Sequence, residues 1–348
     1  MGVIHPDITK AQTLPSEYYY DEDKYEKCLS KFLSSWNFIG LDSMIDEGNI
    51  MPIKIASIPM LVTNQDGVIN CVSNVCTHRG MILCANKKNS STIVCPYHGR
   101  TFSLDGKIKH MPMFDGVVNF PSESDHLARA KVSNWHGMIF ASLDSEISLE
   151  RYLSDIEERM SFIDFSTLTK DPRMDREHNI SANWMLYVDN YLEGFHIPYV
   201  HKGLNSVIDF SNYKTEVFSH SVLQIGYAAE GEESFEIPEN HPDSGKPIAA
   251  YYWWLFPNLM LNFYPWGLSI NVVMPEGIGN TKVLYYGLVS AKGKSNEGAG
   301  GDLDVVEHED QWIVESCSKG MRSPLYQRGR YSPLMETGVH HFHRMLTD

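Results

Sequence analysis

Two short loops constrain this 348-residue chain more than any other feature. The first reads Cys76-Thr77-His78-Arg79-Gly80. The second reads Cys95-Pro96-Tyr97-His98-Gly99, and sixteen residues separate His78 from Cys95. Each loop offers one thiolate and one imidazole. The glycines and Pro96 suit tight turns whose backbone N–H groups can face a negatively charged cluster. Two Cys plus two His is the donor set of a [2Fe–2S] centre in which imidazoles replace the thiolates on one iron. A structural zinc site uses the same donors, but its usual spacing is C-x2–4-C followed by H-x3–5-H. C-x-H followed by C-x2-H departs from that pattern. The surroundings are β-type: from about residue 38 to 143, short apolar runs alternate with turn residues. Asp66-Gly67 and Asp105-Gly106 are hairpin signals.

CTHRG…CPYHG resembles the Rieske signature of ring-hydroxylating oxygenases. The resemblance implies that Cys76 and Cys95 hold one iron and His78 and His98 the other. Respiratory Rieske proteins carry an extra disulfide, with one Cys just after the first loop and one inside the second. Here Met81 and Tyr97 stand at those places, so the likeness is to the oxygenase or ferredoxin branch. Six cysteines are too few for a disulfide scaffold, and Cys71 and Cys84 read as ordinary buried thiols.

A ferredoxin of this kind could end near residue 145, yet some 200 residues follow. They contain Asp189-Asn190-Tyr191-Leu192-Glu193-Gly194-Phe195-His196-Ile197-Pro198-Tyr199-Val200-His201. A helix over 182–196 places Trp184, Tyr187, Val188, Tyr191 and Phe195 on an apolar face and Asp189, Glu193 and His196 on another. Pro198 ends or kinks that helix, letting His201 swing back toward His196. Two His and one carboxylate form the facial triad of non-haem Fe(II) oxygenases, with positions open to O2 and substrate. The best carboxylate is Asp310. A helix over 303–319 sets it on one face with Val306, Ile313, Val314 and Cys317. A charge in an apolar stripe is costly unless paired or metal-bound. An Asp that caps or salt-bridges within the core is the plainer alternative, and Asp304 and Glu309 are the runners-up.

Glu309-Asp310…Val314-Glu315-Ser316 again resembles the oxygenase family, at the segment supplying the third iron ligand. The likeness extends from NWMLYVDNYLEGFH through WLFPNLMLNFYP to GRYSPLMETGVHHFHRML. It implies the terminal oxygenase (alpha) component of a Rieske non-haem iron oxygenase, a mono- or dioxygenase. Such a protein uses O2 and electrons from a separate NAD(P)H-dependent reductase or ferredoxin to hydroxylate or oxidatively demethylate a small organic substrate. The implied cofactors are one [2Fe–2S] cluster and one Fe(II) per subunit. A homotrimer is implied, with Glu193 bridging the mononuclear site of one subunit to His98 of its neighbour. Glu, where many relatives carry Asp, suggests the subset related to choline and carnitine monooxygenases. The alternative is a Rieske electron carrier with no oxygenase activity of its own.

The implied fold class is α+β. Residues 1–37 are a helical segment packing on the catalytic domain, 38–150 an all-β Rieske domain, and 151–348 a helix-grip catalytic domain. Helices are expected over 21–36 and 148–160, and a flexible loop over 292–302. Residues 247–275 carry no charge, a length sufficient to span a bilayer, but prolines, asparagines and a glycine divide the stretch into buried strands. Strand alternation sends about half of Tyr251, Tyr252, Trp253, Trp254 and Phe256 inward. Tyr251, Trp253 and Phe256 are the candidates for a substrate pocket, either a cation–π cage for a quaternary ammonium compound or a wall for an aromatic ring. Plain aromatic core is the other reading. The His340-His341-Phe342-His343 cluster reads as packing.

Charge excludes one class of partner. Against 29 Lys and Arg stand 44 Asp and Glu, a formal charge of −15, and basic clusters for nucleic acid are lacking. The acidic balance is compatible with docking a basic protein such as a reductase. A polar, acidic start without an apolar run points to a cytoplasmic protein with no membrane segment.

Overall fold

A computed structural model describes residues 2–290 and 303–348; the loop expected over 292–302 falls outside them. The chain divides into two compact units. Residues up to Lys31 join Tyr152–Asp348 in one, and Phe32–Arg151 form the other.

The smaller unit is built from three antiparallel sheets. Val68–Ser73, Ile58–Gln65, Asn49–Ile55 and Lys88–Asn89 form a four-stranded sheet. Asn37–Leu41, Met138–Ser142 and Lys131–Trp135 form a three-stranded one. The third joins the short strands Ile93–Val94, Thr101–Phe102 and Ile108–His110. Ile50, Leu61, Val72, Ile93, Phe102 and Leu127 pack into one core, and that core includes Cys76, Cys84 and Cys95.

The larger unit is dominated by a seven-stranded antiparallel sheet. From one edge its strands are Leu168–Ile180, Thr281–Ser290, Gly267–Pro275, Leu259–Tyr264, Ile248–Leu255, Ser221–Ala228 and Ile208–Val217. The uncharged stretch supplies its centre, where every residue of Ile248–Leu255 and Leu259–Tyr264 is buried. The edge strand Leu168–Ile180 is rich in charge, which hides it from an apolar-pattern search and suits an exposed edge. Three helices pack with this sheet: Trp184–Tyr191, Leu303–Met321 and Thr337–Thr347. No helix of the described residues is long and apolar enough to cross a membrane.

Several helices are shorter than their periodicity suggests. The one expected over 21–36 runs Glu22–Leu29, N-capped by Asp21, and gives way to a 3-10 turn where the Ser30 hydroxyl donates to Lys27 O. The 148–160 segment breaks at Leu153 into Leu149–Tyr152 and Ser154–Arg159. The closing tail is itself a helix, burying Val339, Phe342 and Leu346, and His340 Nε2 meets the His5 carbonyl. Gly338, in its first turn, lies against the chain at Leu192. An added Cβ would sit 2.7 Å from Leu192 O and 3.2 Å from Val222. Gly338→Ala is therefore expected to cost about 1–3 kcal/mol of stability by overpacking, read as a lowered thermal midpoint.

Candidate metal centres and cavity

The two Cys-His loops are near copies of one another. In the first, Cys76 N–H donates to Met81 O at 2.8 Å and Gly80 N–H to Cys76 O at 3.0 Å. In the second, Cys95 N–H donates to Arg100 O at 2.8 Å and Gly99 N–H to Cys95 O at 3.1 Å. Gly80 and Gly99 close the turns at φ of 69° and 72°, a left-handed conformation that a side chain would disfavour. Both thiols are buried and unbridged. The His78 and His98 rings lie 4.9 Å apart, with His98 exposed. His78 Nδ1 is buried without a hydrogen-bond partner. An orphaned imidazole nitrogen beside paired thiols is what a cluster would satisfy, so these four residues fit a [2Fe–2S] centre. Arg100 braces the site: its guanidinium donates to Thr77 Oγ1 at 2.7 Å and lies over the rings of Phe114 and Phe120. Cys71 has no such company, and burial pushes its thiol up to about 12. Cys84 donates to Asn86 O. Cys95→Ser is expected to abolish the visible absorption of the cluster, because the harder hydroxyl is a poor substitute for thiolate on iron. Sulfide analysis of the purified variant checks this.

The second centre lies in the larger unit. His196 Nε2 is 3.0 Å from His201 Nε2, which is 3.0 Å from Asp310 Oδ1; His196 Nε2 and Asp310 Oδ1 are 3.5 Å apart. The ligand atoms of these three converge closely enough to hold a single metal ion. The outer nitrogens fix the inner ones. His196 Nδ1 lies 2.7 Å from Glu193 Oε1, and His201 Nδ1 lies 2.7 Å from Glu309 Oε2. A carboxylate accepts, so each Nδ1 donates, and in the neutral ring that leaves Nε2 the lone pair a metal ligates. Two lone pairs and a carboxylate facing one another at these distances repel unless a cation sits among them. Separations of about 3 Å are also those of ligands at right angles with bonds of about 2.1 Å. The donor set thus fits a mononuclear iron. Asn190 Nδ2 donates to Asp310 Oδ1 at 2.7 Å and steadies it.

The backbone that presents these groups corrects the sequence reading. The helix stops at Tyr191, so Glu193 and His196 do not ride on its face. Glu193 Oε2 accepts the His196 backbone N–H at 3.1 Å, replacing a helical bond. Pro198 then sits in the opening turn of a separate short helix, Ile197–Val200, rather than ending the first. Asp304 is withdrawn from the centre by Arg176, at 3.1 Å.

A cavity opens beside the three ligands. Six tyrosines line it (Tyr187, Tyr191, Tyr213, Tyr252, Tyr264 and Tyr285), with Asn262, Asn271, Gln224, Leu204 and Glu307. Tyr252 is the one member of the expected aromatic run that reaches it. Tyr251, Trp253 and Phe256 do not: Tyr251 bonds Asp243, Trp253 packs on Phe218, and Phe256 packs on Trp254. Strand phase is the reason for Tyr251 and Trp253, which flank Tyr252 and point to the opposite face of the sheet, whereas Phe256 lies past the strand's end at Leu255. The sequence reading also overlooks Glu307. It stands one turn before Asp310 on the same helix, and that i, i−3 spacing was the available signal. The hydroxyls of Tyr187 and Tyr285 both donate to its Oε2. Burial and the nearby Asp310 charge push its carboxyl up to about 7.

Comparison with known proteins gives a consistent picture. Residues 165–348 match the ring hydroxylating alpha subunit (catalytic domain) family, and residues 35–121 match the Rieske [2Fe-2S] domain. The chain is 30% identical to choline monooxygenase of Arabidopsis thaliana, a chloroplastic protein, over 97% of this chain and 83% of that one. It is 27% identical to the carnitine monooxygenase oxygenase subunit of Escherichia coli (strain K12), over 97% and 93%. In fold it is similar to a quaternary ammonium Rieske monooxygenase studied for carnitine oxidation by gut microbiota. That likeness has a TM-score of 0.78 and 23% identity, over 97% of this chain and 95% of that one.

Proposed function

Since the chain belongs to the Rieske oxygenases with a ring-hydroxylating alpha subunit, we propose that it oxidises a quaternary ammonium compound held in the tyrosine-lined cavity. It is a terminal oxygenase, an oxidoreductase with a [2Fe–2S] cluster and a mononuclear non-haem iron. When bound, these centres supply single-electron relay and O2 activation.

The residues divide the remaining work. Cys76, His78, Cys95 and His98 hold the cluster, and exposed His98 is the exit for electrons. His196, His201 and Asp310 hold the iron on one side, leaving the cavity side for O2 and substrate. Glu193 and Glu309 keep both imidazoles in the ligating tautomer. Glu193 also bridges to His98 of a neighbouring copy in a homotrimer. Residues 38–150 serve as the electron-transfer module, and a separate reductase or ferredoxin feeds it. The tyrosine rings offer their electron-rich faces to a permanently charged ammonium and exclude water from it.

The observation that carries the reading is the convergence of two Nε2 atoms and one carboxylate oxygen within 3.0–3.5 Å beside this cavity. An electron carrier has no need of it. The relatives' names support ammonium substrates over aromatic ones. The test is a panel of quaternary amines and aromatic acids supplied with a surrogate reductase, with product detected by mass. Hydroxylated or demethylated amine is the expected product. Oxygenation of the aromatic acids alone would replace the substrate reading, and zinc without sulfide in the purified protein would replace the whole. Loss of NADH is an insufficient readout, because uncoupled turnover consumes it too.

A further inference from the structure

Glu307 has a role the iron site does not absorb. Its Oε2 accepts from two tyrosine hydroxyls, those of Tyr187 and Tyr285, whose oxygens lie 2.7 Å apart. Its Oε1 has no hydrogen-bond partner among the described residues. The carboxyl group is thus anchored through one oxygen, on a residue that lines the cavity. Among the described residues no Lys or Arg lines that cavity. A carboxylate walled by aromatic rings is costly unless something positive or a proton joins it, and its described partners are the two hydroxyls alone.

A second atom points the same way. Gln224 is 1% exposed and lines the same cavity. Its Nε2 donates to the Tyr191 carbonyl at 2.6 Å, which fixes the amide's orientation because a carbonyl only accepts. Its Oε1 is buried with no donor. Two acceptors therefore await an occupant, one on a carboxyl and one on a neutral amide, beside the unpartnered hydroxyl of Tyr252, and among the described residues no Lys or Arg awaits a carboxylate. Glu307 also lies three residues before Asp310 on Leu303–Met321, so a group docked on it is held about one helical turn from the iron ligand.

We propose that Glu307 is the counter-charge for the substrate's ammonium group, and that the cavity selects cations bearing a hydroxyl over zwitterions bearing a carboxylate. This rests on the quaternary ammonium reading above and narrows it. The rings supply the cage; Glu307 supplies the net charge; Gln224 Oε1 receives the hydroxyl proton donor. A zwitterion would bring its carboxylate into a site already negative.

Anaerobic calorimetry on the holoenzyme tests this without turnover. The probes are choline, its uncharged carbon isostere 3,3-dimethyl-1-butanol, glycine betaine and L-carnitine. Choline is expected to bind at least about tenfold more tightly than each of the other three, the scale of one hydrogen-bonded charge contact. In Glu307→Gln that advantage over the isostere is expected to vanish, while the isostere's own affinity stays put. Glu307→Asp is expected to restore part of it. If Glu307→Gln fails to assemble, as judged by its cluster spectrum and iron content, the unmodified holoenzyme still decides. Carnitine or the isostere binding as tightly as choline overturns the inference and leaves the ammonium reading standing. Wild-type affinity for choline in Glu307→Gln does the same. Failure of the holoenzyme to bind any of the three ammonium probes overturns both.

Discussion

Asp310→Ala is expected to abolish product formation while leaving the cluster's absorption intact. Asp310 is the one anionic member of the group at 3.0–3.5 Å, and it comes from a helix remote in sequence from the two imidazoles. Without it, two neutral nitrogens remain, too few to retain Fe(II) against water. Iron should fall from about three atoms per chain to about two, the pair in the cluster. Turnover should fall by at least about 10³-fold, since the charge stabilisation supplied by a metal is worth several kcal/mol. Glu309→Gln provides the scale for comparison. It touches only the far nitrogen of His201, so a loss of about 10- to 100-fold in iron affinity is expected. Retention of the third iron in Asp310→Ala would transfer the ligand role to another carboxylate.

Glu193→Gln is expected to separate holding iron from receiving electrons. Glutamine keeps one acceptor oxygen, which serves His196 Nδ1 and so preserves the tautomer and the iron, at the loss of the bond from the His196 backbone N–H. It loses the charge that the bridging role requires. Reduction of the cluster by a reductase should proceed normally, whereas coupled product formation should fall by about 10²-fold or more. Reduction followed by rapid mixing with substrate and O2 distinguishes the steps, because the cluster should then stay reduced. Near-normal coupled turnover would confine Glu193 to orienting His196.

Different parts of this architecture are legible in sequence for different reasons. The cluster loops are contiguous, and four donors at tight spacing leave few arrangements. Asp310 is visible because a charge interrupts an apolar helical stripe. The end of the helix at Tyr191 is not visible in that way, because the competing bond comes from the Glu193 side chain to the His196 N–H. Periodicity carries no information about such a bond. Tyr252 could not be told from its neighbours, since alternation gives two phases and only the packed helices decide which faces the cavity. Leu168–Ile180 escapes because its charges serve an exposed edge. Glu307 escapes because a carboxylate on a helix surface and one facing an internal cavity look alike until the sheet is in place.

The iron ligands also make folding a matter of metal supply. His201 and Asp310 are 109 positions apart, and their ligand atoms meet only in the finished structure. A metal captured there binds the native chain and not the unfolded one. Each tenfold excess of available iron over its dissociation constant therefore adds about 1.4 kcal/mol to the native state. In a cell short of iron, copies that fail to load forgo that increment and present themselves more often to proteases. Mass action and degradation should consequently couple the abundance of this protein to the iron available to it.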